Sequence, residues 1–217
     1  MERGCWKCMG MISSFDRLKF HCTKCGACCS YPGLIVNVTP RDVRSLTKHL
    51  KASASALLKV LAFYQVEPDE TMDEAEIQER LVFPALKTHK GMAFLGLLKQ
   101  PSGQCTFLKD NKCSIYPARP RICQSFPFTY KKARNGTTTS IARFAVSSCP
   151  GIGQGELVNV EKVKATGRSI LDEIDEMFAF ARWWNNRPGD DLDLFKPALL
   201  VSEMAKYQRV SGKQPRK

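Results

Sequence analysis

From about Asn159 the apolar side chains of this chain fall into a helical rhythm. Val160, Val163, Ile170, Ile174, Met177, Phe178, Ala181 and Trp184 recur at the spacing that lines one face of a helix. A long amphipathic helix is predicted, stopping near "NNRPGDD" (185–191), with a further helix near 197–208. Trp183 and Trp184 are neighbours, and adjacent helical residues diverge by ~100°. One of the two must face away from the buried stripe, and Trp183 is the expected exposed one.

Nearer the start, "NVTPRDVRSL" (37–46) carries the signals of a helix N-terminus. Thr39 suits the cap, Pro40 the first helical position, and Asp42 the positive helix end. That helix is expected to run to about Leu50. "SASALLKVLAFY" (53–64) reads as a second helix capped by Ser53. Between 92 and 146 the pattern turns β-rich in "MAFLGLL", "CTFL", "FPFTYKK" and "TTTSIARFAV". Asn135-Gly136 signals a hairpin between the last two segments, and "KDN" (109–111) another turn. "YPARPRIC" (116–123) should turn into a brief helix. No apolar run approaches membrane-spanning length, so no membrane contact is expected.

Charge changes this picture because it is unevenly placed. The whole chain of 217 residues carries +12, yet residues 80–150 hold twelve Lys/Arg against the single acid Asp110. Residues 67–79 hold seven acids and no base. The basic middle segment is also where the cysteines lie. Metal thiolate sites are anionic and attract nearby cations, whereas a basic surface also suits RNA or a ribonucleoprotein. For the RNA reading, Lys131, Lys132, Arg134 and Arg143 would contact phosphate and Phe128 or Tyr130 would stack on a base.

Ten cysteines in a chain that opens "MERGCWKC", with no secretory pattern, point to metal or redox chemistry in a reducing, cytoplasmic setting. "HCTKCGACCS" (21–30) packs four of them into eight positions. The run Cys22-x2-Cys25-x2-Cys28 is the three-cysteine start of a ferredoxin-type [4Fe–4S] site, and Cys149-Pro150 offers a remote fourth ligand. Cys29, Cys105, Cys113 and Cys123 form a second set of four. Adjacent Cys28 and Cys29 are expected to project apart, toward separate centres. Zinc reads the same thiolates, since four-cysteine tetrahedral sites also begin with Cys-x2-Cys. The expected cofactor is one or two [4Fe–4S] clusters, or zinc, with the triple x2 run favouring iron–sulfur.

Arg119 and Arg121 in "RPRIC" are candidates for binding the cofactor or an anionic substrate, against the alternative of a clamp on the turn. Tyr116, Phe126 and Phe128 are expected to pack around the metal and exclude water. His21 reads as an ordinary exposed residue. The glycines of "CPGIGQG" (149–155) lack the surrounding βαβ unit that a phosphate loop needs. No side-chain set for nucleophilic or acid–base catalysis is evident.

"FHCTKCGACC" (20–29), "CTFLKDNKCSIYPARPRICQSFPF" (105–128) and "CPGIG" (149–153) together resemble the YkgJ-type cysteine-cluster family, a zinc- or iron-chelating domain with a CxxCxxCC signature. The resemblance implies that Cys22, Cys25, Cys28, Cys29, Cys105, Cys113, Cys123 and Cys149 are the metal ligands. Cys5 and Cys8 lie outside it. The same domain is similar to part of the flagellin lysine N-methylases, which brings in a methylase dependent on S-adenosylmethionine as an enzymatic alternative.

The chain is thus expected to be α+β. A small irregular β region with metal-bound loops would be flanked by two N-terminal helices and the long C-terminal amphipathic helix. Residues 1–17 form an arm, 18–155 the cysteine-cluster domain, 156–208 a helical segment packed on it, and 209–217 a basic tail. The expected function is cysteine-ligated metal binding, of the iron–sulfur kind, serving electron transfer or support of a partner enzyme. The alternatives are a structural zinc protein contacting RNA and the methylase.

Overall fold

The computed structural model describes residues 17–65, 83–88, 91–133 and 136–186. The acidic stretch 67–79, Cys5, Cys8, the helix expected near 197–208 and the basic tail lie outside the described residues.

The architecture is α+β, built from small antiparallel sheets and one long helix. Strand β1 (Lys19–Phe20) leads into the cysteine motif and the single-turn helix α1 (Ala27–Ser30). Helix α2 (Pro40–Leu50) begins as the sequence predicts. Thr39 and Asp42 close a reciprocal capping box, with the Thr39 N–H donating to Asp42 Oδ2 at 2.9 Å and the Asp42 N–H to Thr39 Oγ1 at 3.2 Å.

The second predicted helix is corrected. Ser53 does cap a helix, but α3 covers only Ala54–Leu57, and the rest of the apolar run becomes strand β2 (Leu61–Gln65). β2 pairs antiparallel with β4 (Gly91–Leu97), in register from Leu61↔Leu97 to Gln65↔Ala93, and β4 also pairs with β3 (Leu86–Thr88). A strand partner supplies backbone hydrogen bonds and a flat apolar face, and that tertiary gain overrides the helical reading of a short apolar run. Beyond β3, Asn37 bridges Gly96 and continues the same edge of β4.

A tight hairpin follows, β5 (Leu108–Lys109) and β6 (Lys112–Cys113), turning through Asp110 and Asn111 at φ 48° and 57°. Both central residues are left-handed, as a two-residue primed turn requires. A 3₁₀ turn at Tyr116–Ala118 then feeds the short helix α4 (Arg121–Ser125). The second hairpin pairs β7 (Phe128–Ala133) with β8 (Gly136–Ile141), closing at Ala133↔Gly136. "ARFAV" does not continue the strand: helix α5 (Arg143–Ser148) begins there and ends at Cys149. "GIGQG" is also extended, as part of β9 (Ile152–Leu157), which pairs with β1.

Helix α6 (Val160–Asn185) is the long helix of the sequence, with Asn159 accepting from the Lys162 N–H at its start. It buries Ile170, Leu171, Ile174, Met177, Phe180 and Ala181 against β7, β8, β3 and α4. Gly167 lies against Tyr130, where a Cβ would sit 2.4 Å from the ring. At the other end, Trp184 Nε1 donates to the Lys87 carbonyl and Asn185 bonds both Lys87 and Ala85, fastening the helix to β3. Trp183 is the exposed member of the tryptophan pair. No helix among the described residues is long and apolar enough to cross a membrane.

Candidate metal centre

Two left-handed residues fold the cysteine motif onto itself. Lys24 has φ 56° and Gly26 φ 76°, and Gly26 then accepts the N–H groups of Cys29 and Ser30 at 2.9 and 3.0 Å. Gly26 also lies against the β5–β6 turn, where a Cβ would meet the Asn111 carbonyl oxygen at 2.8 Å. Only glycine combines that backbone angle with that closeness.

Other elements bring the remote cysteines to the same place. The Cys105 N–H donates to the Cys29 carbonyl at 2.8 Å, joining the two segments directly. Cys113 ends the β5–β6 hairpin and Cys123 lies on α4. The His21 N–H donates to the Gly151 carbonyl at 3.1 Å, so the β1–β9 pairing draws Cys22 toward Cys149. All eight cysteines line one cavity of about 150 Å³. Its walls include Phe20, Phe107, Tyr116, Phe126, Phe128 and Phe144, as expected for Tyr116, Phe126 and Phe128. Cys105 is buried and Cys25 exposed, with the others between.

Cys28 and Cys29 do not diverge as the sequence suggested. Their sulfurs stand 3.9 Å apart and face the same cavity. On a helix of four residues, the cavity wraps around the helix end and both directions reach it. Meanwhile the sulfurs share the space without meeting at one point. Among the described residues, no three His, Cys, Asp or Glu side chains stand close enough together to hold a single ion.

The thiols differ in acidity. Cys28 is lowered to about 7 and Cys113 to about 6, each first by a hydrogen bond from Cys29 and further by the Arg119 guanidinium. Cys29 is pushed up, first by its contacts with Cys113 and Cys28 and then by burial. Burial raises Cys105, Cys123 and Cys149 as well. The cavity therefore holds two acidified thiols, Cys28 and Cys113, among thiols that release a proton only when something cationic replaces it.

The two arginine candidates part company. Arg119 lines the cavity, its guanidinium 3.9 Å from the centroid of the Tyr116 ring. Arg121 points to the long helix instead: its Nη2 donates to Ser169 Oγ at 2.6 Å and its Nε lies 3.3 Å from Glu173 Oε1. Its own N–H donates to Asp42 Oδ1 at 3.0 Å. Arg121 thus sits as a clamp among α2, α4 and α6. Asp42 and Glu173 were not singled out from the sequence as partners of this network, since nothing local to either marks the contact. His21 is exposed, as expected.

The residues of the RNA reading are also placed. Phe128 and Tyr130 are buried, each 8% exposed, so neither is available to stack on a base. Alternation along β7 turns both inward, Tyr130 against α6. Lys132 pairs with Asp175 on that helix, and Arg134 lies outside the described residues.

With the cavity in view, similarity to known proteins can be set against it. A family model, CxxCxxCC, described as "Putative zinc- or iron-chelating domain", matches residues 21–145, more than half of the chain. The chain belongs to the CxxCxxCC family. It is a metal-binding protein of the zinc- or iron-chelating kind. The family match takes in every cavity cysteine except Cys149, which lies just beyond its end and joins the others through α5 and β9. This CxxCxxCC chain is also 26% identical over 201 residues to an uncharacterized protein of Methanocaldococcus jannaschii, covering 88% of this chain and 86% of that one. No solved structure matches the chain.

The donor set fits soft or borderline metal. Eight sulfurs and no carboxylate line the cavity, which disfavours magnesium or calcium and suits zinc or iron–sulfur. Lys24, Lys99 and Arg119 line it too, cations of the sign that thiolate sites need.

Proposed function

We propose that the eight cavity cysteines ligate iron–sulfur clusters and that the protein carries electrons to or from a partner protein in a reducing compartment. The observation carrying this reading is one all-sulfur cavity of about 150 Å³ walled by aromatic rings. A zinc tetrathiolate draws its sulfurs to about 3.8 Å apart around one small ion, from Zn–S bonds of about 2.3 Å. The Cys28–Cys29 pair suits that spacing, and Cys113 also contacts Cys29. Among the described residues no three donor groups converge as a single zinc ion needs, whereas a larger iron–sulfide core takes its ligands on its outside. Cys22, Cys25 and Cys149 would serve its outer part and Cys29, Cys105, Cys113 and Cys123 its inner part, with Cys28 between them. Arg119 and Lys99 would offset thiolate charge, and the aromatic walls would limit water, both of which tune a cluster's potential.

The chemistry such a cluster supplies is one-electron transfer. The chain's own contribution is to hold the sulfurs, supply counter-charge and leave one edge, at Cys25, open to solvent. Purification without oxygen, followed by assay of iron, acid-labile sulfide and zinc, tests the assignment. Iron and sulfide in equal amounts with visible charge-transfer absorption are expected. Zinc alone, with no visible absorption after anaerobic handling, would falsify the iron–sulfur reading and leave a structural zinc protein.

A further inference from the structure

The cations around the cavity are not equivalent. Lys99 is committed: its Nζ donates to the Tyr31 carbonyl at 2.8 Å, and burial pushes its pKa down. Lys24 and Arg119 make no ion pair with a carboxylate among the described residues. Both lie instead against one ring, Tyr116, with Lys24 Nζ at 4.9 Å and the Arg119 guanidinium at 3.9 Å from its centroid. No carboxylate lines the cavity to neutralise either.

Their geometry is fixed in advance. Stacking uses the face of a guanidinium; one edge donor of Arg119 is shared with Tyr116, and the fork has five in all. The main chain beneath is stiffened by Pro117 and Pro120 on either side of Arg119, and Gln124 Nε2 donates to the Arg119 carbonyl at 2.7 Å. Lys24 is held in the turn of the cysteine motif by its left-handed backbone, φ 56°. Beside them Cys25 is exposed and Cys22 half-buried. A counter-charge for thiolates needs no fixed fork, whereas recognition of a planar or tetrahedral anion uses one.

We propose that Lys24, Tyr116 and Arg119 form a binding site for a small anion, one bearing a carboxylate or a phosphoryl group, at the mouth of the cysteine cavity beside Cys22 and Cys25. The site would bring such a ligand to the solvent-facing edge of the metal centre. Its relevance to electron transfer rests on the reading proposed above, but its existence does not.

The test is calorimetric titration of the anaerobically purified protein with inorganic phosphate and, separately, acetate, which tells phosphoryl from carboxylate recognition. Lys24→Ala, Arg119→Ala and the exposed control Lys48→Ala are titrated alongside, with metal content measured in every sample. Saturable one-site binding of at least one anion is expected in the native protein and in Lys48→Ala. Binding should weaken by at least ~10-fold in Lys24→Ala and in Arg119→Ala, as loss of a charge-assisted hydrogen bond implies. If Arg119→Ala loses metal, Arg119→Lys takes its place, keeping the charge and removing the fork, and must show the same weakening. The proposal is overturned if neither anion binds saturably to the native protein, or if Lys24→Ala binds as tightly as native. The titration is read whatever metal the protein carries. Absence of iron would therefore count against the cluster assignment and not against the anion site.

Discussion

Four of the cavity's thiols, Cys29, Cys105, Cys123 and Cys149, are raised above the ordinary cysteine range, while Cys28 and Cys113 are drawn down to about 7 and about 6. The raised thiols are protonated near neutrality in the metal-free chain, so each metal ion taken up must displace protons. Metal affinity should consequently climb with pH and keep climbing past the ordinary thiol value, because the raised groups ionise late. Competition with a chromophoric chelator from about pH 6 to about pH 10 measures it. An affinity flat across that range would contradict the ligand assignment. Cys22, Cys25, Cys28 and Cys29 were legible as ligand candidates because their spacing is local information, while Cys105, Cys113, Cys123 and Cys149 rested on the family resemblance as well. That Cys28 and Cys29 converge was not legible, because it depends on a cavity built from segments far apart in the chain. Arg119 and Arg121 were indistinguishable in "RPRIC" for the same reason: only α6, which supplies Ser169 and Glu173, separates their roles.

Among the elements, those with their own capping or turn chemistry were readable. The Thr39–Asp42 box, the Asn159 cap and the apolar stripe of α6 act within a few residues of each other. The stretch 53–64 was misread, since β2 forms only when β4 is there to pair with it, and the two-residue β1 is invisible without β9. Packing of α6 on β7 gives a sharp test. A glycine-to-alanine change inside an exposed helix gains roughly 0.5–1 kcal/mol. At Gly167 the added Cβ would overlap the Tyr130 ring, and overpacking of this kind costs roughly 1–3 kcal/mol. Gly167→Ala is therefore expected to lower the denaturation midpoint; a rise would mean the helix stands off from β7.

The α2–α4–α6 clamp gives a second test. Burial raises the Glu173 carboxyl above its ordinary range, aided by nearby Asp42 and opposed by Arg121 and Arg41. A raised folded-state pKa favours the fold when protonated. That contribution is complete below the ordinary carboxylate pKa and is lost as pH rises through the raised one. Glu173→Gln removes the titration. The native protein's stability relative to Glu173→Gln should fall between about pH 4 and neutrality. Paired denaturant curves across that window check it, with acid release of metal common to both proteins. A native advantage that grows with pH would show the ion pairs outweighing burial.

At the scale of the molecule, the basic bias of residues 80–150 resolves into separate parts. Lys99 and Arg119 face the thiols, Lys132 pairs with α6, and Arg121 clamps the helices. A charge count could not divide them, because the division follows from which distant segment each residue packs against. The central claim is that metal in this protein is held by cysteine sulfur within one cavity. X-ray absorption at the iron and zinc edges of the anaerobically purified protein tests it most directly. The account predicts a first shell of sulfur alone, with an iron–iron distance at the iron edge if clusters are present. A first shell dominated by nitrogen or oxygen would contradict it.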